Sequence, residues 1–253
     1  MFIRGLRATG VRPRSVGIAI PAALDATGRV VAWPNRPHWR GLDLRGLLAR
    51  ELPGATLQFG DDGDLATLAE AEAAGRCDLL YVGVGTGVGG GLFLGGELLR
   101  GAQGPVAEVG HVVVHPGGPL CRCGRQGCLQ AIASGPATLR RAGRYDRSVT
   151  GTGALRAALH AGTPWARRVV RETARALATG VVTVAELVRP ALVRLGGGFA
   201  AGLPELVAAT AAAVRALERP GFPTPLVEPA AYGGMSSLAG AVLLAREPGL
   251  LAG

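Results

Sequence analysis

Lysine is absent: all 27 basic residues are arginine, set against 18 acidic residues, for a formal charge of +9. Such a charge favours anionic partners in principle. The arginines are scattered, however, and no basic stripe interleaves with aromatics, which supply only 4% of the chain. No specific nucleic-acid partner is therefore expected, and arginine in lysine's place follows from a GC-rich coding composition. Long apolar runs are missing too. No stretch of about 18 apolar residues is free of Gly, Pro or charge, so no membrane span is expected. The opening MFIRGLRATGVRPRS carries arginines but neither an apolar core nor a small-residue cleavage site, and does not read as a signal peptide. Cysteine is scarce, and the clustering of three of the four cysteines does not make a disulfide framework. The expected compartment is a reducing cytoplasm. No Ser- or Pro-rich linker and no low-complexity tail divides the chain.

What is present is an apolar content of 48%, mostly Ala, Val and Leu, with 41 glycines. That composition suits an α/β protein with many close backbone approaches. RSVGIAIPAALD (14–25) reads as a buried strand ending at proline, and GRVVAWPN (28–35) as a second strand. LDLRGLLARELPG (42–54) has leucines at helical spacing and a Pro-Gly stop. ATLQFGDDGD (55–64) reads as a strand running into an acidic turn, with a short helix after it. Residues 78–101 read as strand, glycine turn, strand, Gly-Gly turn, strand. Beyond them the chain turns helical, with its longest helix between 163 and 190. ALVRLGGG is then a strand into a glycine turn, and LPELVAATAAAVRALE an amphipathic helix. Strand 226–229 and helix 236–247 close the alternation, which argues for an α/β fold.

PLCRCGRQGCLQ places Cys121, Cys123 and Cys128 within eight positions. Three thiolates with one imidazole suit zinc in tetrahedral geometry. His111 in EVGHVVVHPGG is the nearer match for a fourth ligand, with His115 as competitor. Four protein ligands would close the coordination shell, so the ion would be structural. Independently, FGDDGD sets carboxylates at the carboxyl end of a strand, where α/β sites gather. GVGTGVGGG (83–91) offers exposed amides and the Thr86 hydroxyl to phosphate oxygens.

The segment EVGHVVVHPGGPLCRCGRQGCLQAIASG resembles the zinc segment of the ROK family of bacterial sugar kinases and sugar-responsive repressors, and the likeness extends from VGIAIPAALD to YGGMSSLAGAVLL. The resemblance implies an actin-like (ribonuclease H-like) two-lobe ATPase fold with a zinc-binding insertion. It implies zinc on His111, Cys121, Cys123 and Cys128, disfavouring His115, and ATP with magnesium as the phosphoryl source. It assigns Asp62 as the general base that takes the proton from a sugar hydroxyl. Asn35, Asp61, Glu108, His111 and Gln130 fall at sugar-contacting positions. Gly85, Thr86 and Gly87 match the second phosphate loop, and Gly196, Gly197 and Gly198 the adenosine-side turn. Departures from the family pattern cluster in one pocket: Asp61 and Asp64 stand where asparagine is usual, Gln130 where glutamate is usual, and Ala22 where a glycine is usual.

The family's first phosphate loop, Asp-x-Gly-Gly-Thr, has no counterpart, and residues 1–15 look like the end of the helix that follows it. The expected organisation is a remnant first lobe (1–77), a C-terminal lobe with the zinc motif and nucleotide-side turns (78–235), and a terminal helix (236–253) returning to the first lobe. The expected function is ATP-dependent phosphorylation of a glucose-like hexose by a homodimer, weak or absent without the first loop. The alternative is a non-catalytic sugar-sensing module of a regulator lacking its helix-turn-helix.

Overall fold

Strand β1 (Ser15–Ile20) is stopped by Pro21 and followed by the short β2 (Ala23–Leu24) and β3 (Val30–Ala32), which pair antiparallel with each other. The computed structural model describes residues 9–101, 104–247 and 249–251. The helix expected over 1–15 thus lies partly outside the described residues, and 9–14 are turn and irregular chain instead. Helix α1 (Leu44–Glu51) is capped by Asp43, whose carboxylate accepts from the Gly46 amide. Strand β4 (Thr56–Asp61) runs parallel to β1, with Ser15 opposite Thr56 and Ile20 opposite Asp61.

Where an acidic turn is expected, the chain passes from β4 straight into helix α2 (Asp62–Ala73). Asp61 is the cap: its Oδ1 accepts from the amides of Gly63 at 2.9 Å and Asp64 at 3.3 Å. Asp62 and Asp64 then lie in the first helical turn, where the free amide dipoles favour negative charge.

Next come β5 (Leu79–Val84), β6 (Val88–Leu94), β7 (Glu97–Leu98) and a small hairpin of β8 (Arg100–Gly101) and β9 (Gly104–Pro105). After the cysteine segment follow α3 (Leu129–Ala133), α4 (Gly135–Ala142), α5 (Thr152–His160) and α6 (Pro164–Val188). Proline in its first turn starts α6, and Arg189, in the left-handed region at φ 48°, ends it ahead of Pro190. The chain closes with β10 (Leu192–Gly196), α7 (Gly197–Ala201), α8 (Pro204–Arg215), β11 (Leu226–Pro229) and α9 (Ser236–Arg246).

Among the described residues the main sheet has the order β11-β10-β5-β6-β7. β5, β10 and β11 are parallel, and β5, β6 and β7 antiparallel. Alternation along β5 sorts its side chains to two faces. Leu80, Val82 and Val84 join the cluster with Leu177 and Val181 of α6 and Leu206 of α8. Leu79 and Tyr81 join the other, with Leu65 and Leu68 of α2 and Leu244 of α9.

Helix α2 is thereby enclosed between the β1–β4 pair, α9 and the main sheet, and residues 64–71 are all buried. The approach is backbone to backbone. A Cβ on Gly240 of α9 would lie 1.9 Å from the Leu65 carbonyl oxygen, and one on Gly17 of β1 would lie 1.9 Å from the Ala241 carbonyl oxygen.

Gly240→Ala should therefore force α9 off α2 and cost about 1–3 kcal/mol. Gly153→Ala, at a helical position of α5 with open space around it, should be neutral or stabilising by up to about 1 kcal/mol. Urea unfolding of the two variants beside the parent chain measures both. A neutral Gly240→Ala would show that the helices are free to separate.

Candidate functional site

The end of β4 and the start of α2 bring three carboxylates together. Burial, then the neighbouring Asp61 and Glu108 charges, push Asp62 up to about 6, opposed by the Gly63 amide and its own. Burial and the Asp61 charge do the same to Asp64, also to about 6, with Arg100 pulling the other way. Asp61 is raised by burial, while the Asp64 and Gly63 amides hold it down. Asp64 is 1% exposed, and its Oδ1 has no hydrogen-bond partner among the described residues. Ser237 at the start of α9 donates to the Asp62 carbonyl at 2.9 Å.

Glycines of β6 carry α2 against the segment that presents Glu108. A Cβ on Gly63 would lie 2.6 Å from the Gly90 carbonyl oxygen, and one on Gly90 would lie 2.9 Å from a Val109 methyl. Glu108 opens the single turn Val109–His111, and the His111 amide donates to its carbonyl at 2.8 Å. Ala107, just before it, is held in the left-handed region at φ 58°. Glu108, His111, Val112, Val113 and Arg125 line a cavity of about 400 Å³. The Arg125 guanidinium donates to the His111 carbonyl at 3.3 Å. No sequence motif points to Arg125: a single arginine between loop residues has neither period nor partner.

His111, Cys121, Cys123 and Cys128 form a group whose potential ligand atoms lie within 4.8 Å of one another. The Cys121 sulfur is 3.8 Å from His111 Nδ1, and the sulfurs of Cys123 and Cys128 are 3.6 Å apart. Cys121 and Cys128 are buried, whereas Cys123 is exposed. Such a soft donor set, converging from chain positions 111 to 128, could hold a metal ion. Gln130 attends this group: its amide donates to the Cys121 sulfur at 3.2 Å. Its Oε1 faces the phosphate-loop candidate, 3.0 Å from where a Cβ on Gly87 would be.

The Gly85–Gly87 turn joins β5 to β6, with the Gly85 amide donating to the Gly87 carbonyl at 2.9 Å and Thr86 exposed at its head. The Gly85 carbonyl accepts at 2.9 Å from Gly135, the first residue of α4. Gly197, at φ 83°, lies against Val84; a Cβ there would be 2.6 Å from the Val84 amide nitrogen and carbonyl oxygen. The two glycine turns therefore meet at the carboxyl ends of β5 and β10. Asn35 is exposed in the turn after β3, with no hydrogen bond to Asp62, Glu108 or His111 among the described residues.

Comparison with known proteins gives this geometry a context. The sequence profile of the ROK family matches residues 2–248. A kanosamine kinase of Amycolatopsis mediterranei is 50% identical over 236 residues, covering 93% of this chain and 78% of that protein. The crystal structure of a ROK hexokinase from Thermus thermophilus superimposes with a TM-score of 0.79 at 35% identity, over 96% of this chain and 82% of its own. A ROK-family glucokinase from Streptomyces griseus, solved in complex with glucose and AMPPNP, superimposes with a TM-score of 0.82 at 28% identity, over 96% of this chain and 87% of its own. The α/β fold is that of the ROK sugar-kinase structures, and the chain belongs to the ROK family.

Proposed function

We propose that this chain is an ATP-dependent sugar kinase with Asp62 as general base. The observation that carries the reading is the setting of Asp62. It is a carboxylate on the first residue of α2, pushed up to about 6 by burial and its acidic neighbours. An acid of that strength is ionised at neutral pH yet basic enough to draw a proton from a hydroxyl. As that sugar oxygen bonds to the γ-phosphorus and ADP departs, its proton passes to the Asp62 carboxylate. Glu108 accepts from sugar hydroxyls in the cavity it shares with His111 and Arg125. Amides of the Gly85–Gly87 turn, with the Thr86 hydroxyl, hold phosphate oxygens, and the Gly196–Gly198 turn takes the adenosine side.

The metal reading is zinc, because three thiolates and one imidazole fill a tetrahedral shell. Such an ion would brace the cavity wall and fix the His111 ring, leaving its second nitrogen for a sugar hydroxyl. No proton or phosphoryl group passes through it.

An aminohexose is the substrate class we favour. Kanosamine, the substrate in the Amycolatopsis relative's name, carries an amine. Asp61, Asp62 and Asp64 repel one another at the start of α2, and a protonated amine bound beside them would offset that repulsion. Glutamine at 130 leaves the metal side of the pocket without a further carboxylate.

A coupled ADP-release assay over glucose, glucosamine and kanosamine tests the reading. Asp62→Asn should lose about 10²–10⁴-fold in kcat/KM, and turnover surviving in that variant would remove the base. In the parent chain kcat/KM should fall as pH drops through about 6, because protonated Asp62 accepts nothing; a flat profile from pH 5 to 7 would contradict this.

Asp61→Asn should lower the rate with kanosamine more than that with glucose. An equal loss on both would argue against charge selection.

Metal analysis of chelator-free protein should give one zinc per chain. Cys121→Ser should lose the ion and melt at a lower temperature. Metal-free protein with an unchanged melting point would discard the site.

A further inference from the structure

Glu70 is a charged side chain with no exposure at all, on α2 two turns beyond Asp62. Its carboxylate is fully engaged by one segment, the 230–236 turn between β11 and α9. The Ala231 amide donates to Oε2 at 2.7 Å, the Tyr232 amide to Oε1 at 3.1 Å, and the Ser236 hydroxyl to Oε1 at 2.7 Å. Arg194 of β10 stands 3.9 Å from Oε2, while its Nη1 pairs with Glu228 at 2.8 Å. A buried carboxylate is costly unless so satisfied, and hydrogen bonds to a charged acceptor are the strong kind.

The segment that Glu70 grips touches both halves of the proposed site. On one side, Ser237 donates to the Asp62 carbonyl at 2.9 Å. On the other, a Cβ on Gly234 would lie 3.4 Å from Gly198 Cα, and one on Gly196 would lie 2.7 Å from Ala230 Cβ. The Tyr81 ring closes the remaining gap: a Cβ on Gly196 would also lie 3.0 Å from its hydroxyl. That hydroxyl is pushed up to about 12 mainly by burial, with the Ser236 side chain and the Gly197 amide pulling the other way. The carbonyl of Asp62 and the Gly196–Gly198 turn thus both rest on residues 230–237, and Glu70 fixes residues 231–236 of that segment to α2 with three hydrogen bonds.

We propose that Glu70 is a positioning residue, holding the 230–237 segment so that Asp62 and the Gly196–Gly198 turn stand at the separation that phosphoryl transfer requires. The proposal rests on the reading of Asp62 as base and of that turn as the nucleotide side. A phosphoryl donor and a base misplaced by about 1 Å lose up to about 100-fold in rate. The Glu108 and His111 contacts lie outside the clamp, so affinity for glucose, which brings no amine to the aspartates, should be spared.

The test compares the full chain with Glu70→Gln, which keeps the shape but sets an amide against two amide donors, and with Ser236→Ala, which removes a single bond. Each is followed by steady-state kinetics and by amide hydrogen exchange without ligands. In Glu70→Gln we expect kcat to fall roughly 10- to 100-fold with the glucose KM within about twofold. Exchange should quicken at 62–68 and at 196–201 together. Ser236→Ala should move both readouts in the same direction by less, and decides the matter if Glu70→Gln does not fold. A kcat within twofold of the parent, or faster exchange confined to 231–236, would reduce Glu70 to a local staple and overturn the proposal. If the parent chain phosphorylates no sugar, the kinase reading fails, and the exchange comparison alone decides on the clamp.

Discussion

Backbone contact around α2 is the constraint from which the site follows. Gly240 meets the Leu65 carbonyl from α9, and Gly63 meets the Gly90 carbonyl of β6. No side chain separates these surfaces, so the position of the helix is fixed by main-chain geometry rather than by rotamers that can hop. Packed interiors yield little to such a contact. Asp62, at the end of this helix, inherits the same fixity, and so does its distance from the Glu108 segment that lies on the far side of the β6 glycines.

The electrostatics of the site follow from that enclosure. A strand end and a helix start coincide at Asp61 and Asp62, and the free amides there attract negative charge. The same enclosure withdraws water from the carboxylates and brings Glu108 into their field. Burial outweighs the amides at Asp61 and Asp62 and the Arg100 charge at Asp64, which is why their proton affinity rises although they sit at a helix N-terminus. A base assembled this way keeps its proton affinity only while the surrounding elements stay closed over it.

Much of this was legible in the sequence where one local rule decides. An apolar run bounded by a glycine turn finds β5, and the strand at 226–229 and the long helix over 164–188 agree with their turn residues and prolines. The cysteine spacing announces a soft donor set before any coordinate is known. Asp-Asp-Gly-Asp, by contrast, carries turn chemistry, and the sequence reads as a turn where a helix begins. The Asp61 cap starts the helix there, and α9, 175 residues away through Ser237, and the β6 glycines pack against it. The sequence marks Gln130 as a site position but not which way it faces. Its orientation toward the Cys121 sulfur depends on how α3 sits between the cysteine segment and the Gly85–Gly87 turn. Glu70 falls in an alanine-rich helix as one of two glutamates, and nothing local marks it as the buried one.

The left-handed backbone of Ala107 has a consequence for how function depends on folding. A residue with a Cβ in that region costs of order 1 kcal/mol and persists only where its surroundings over-determine it. Here those surroundings are the β6 glycines on one side and the His111 turn on the other. A partly ordered chain would let Ala107 relax to an ordinary conformation and swing Glu108 away. Presentation of that carboxylate is therefore a cooperative property: it comes with the last increments of native order and is the first thing surrendered when they are lost. Damage far from the cavity, at any element that braces these two neighbours, would register as lost competence before it registered as lost secondary structure.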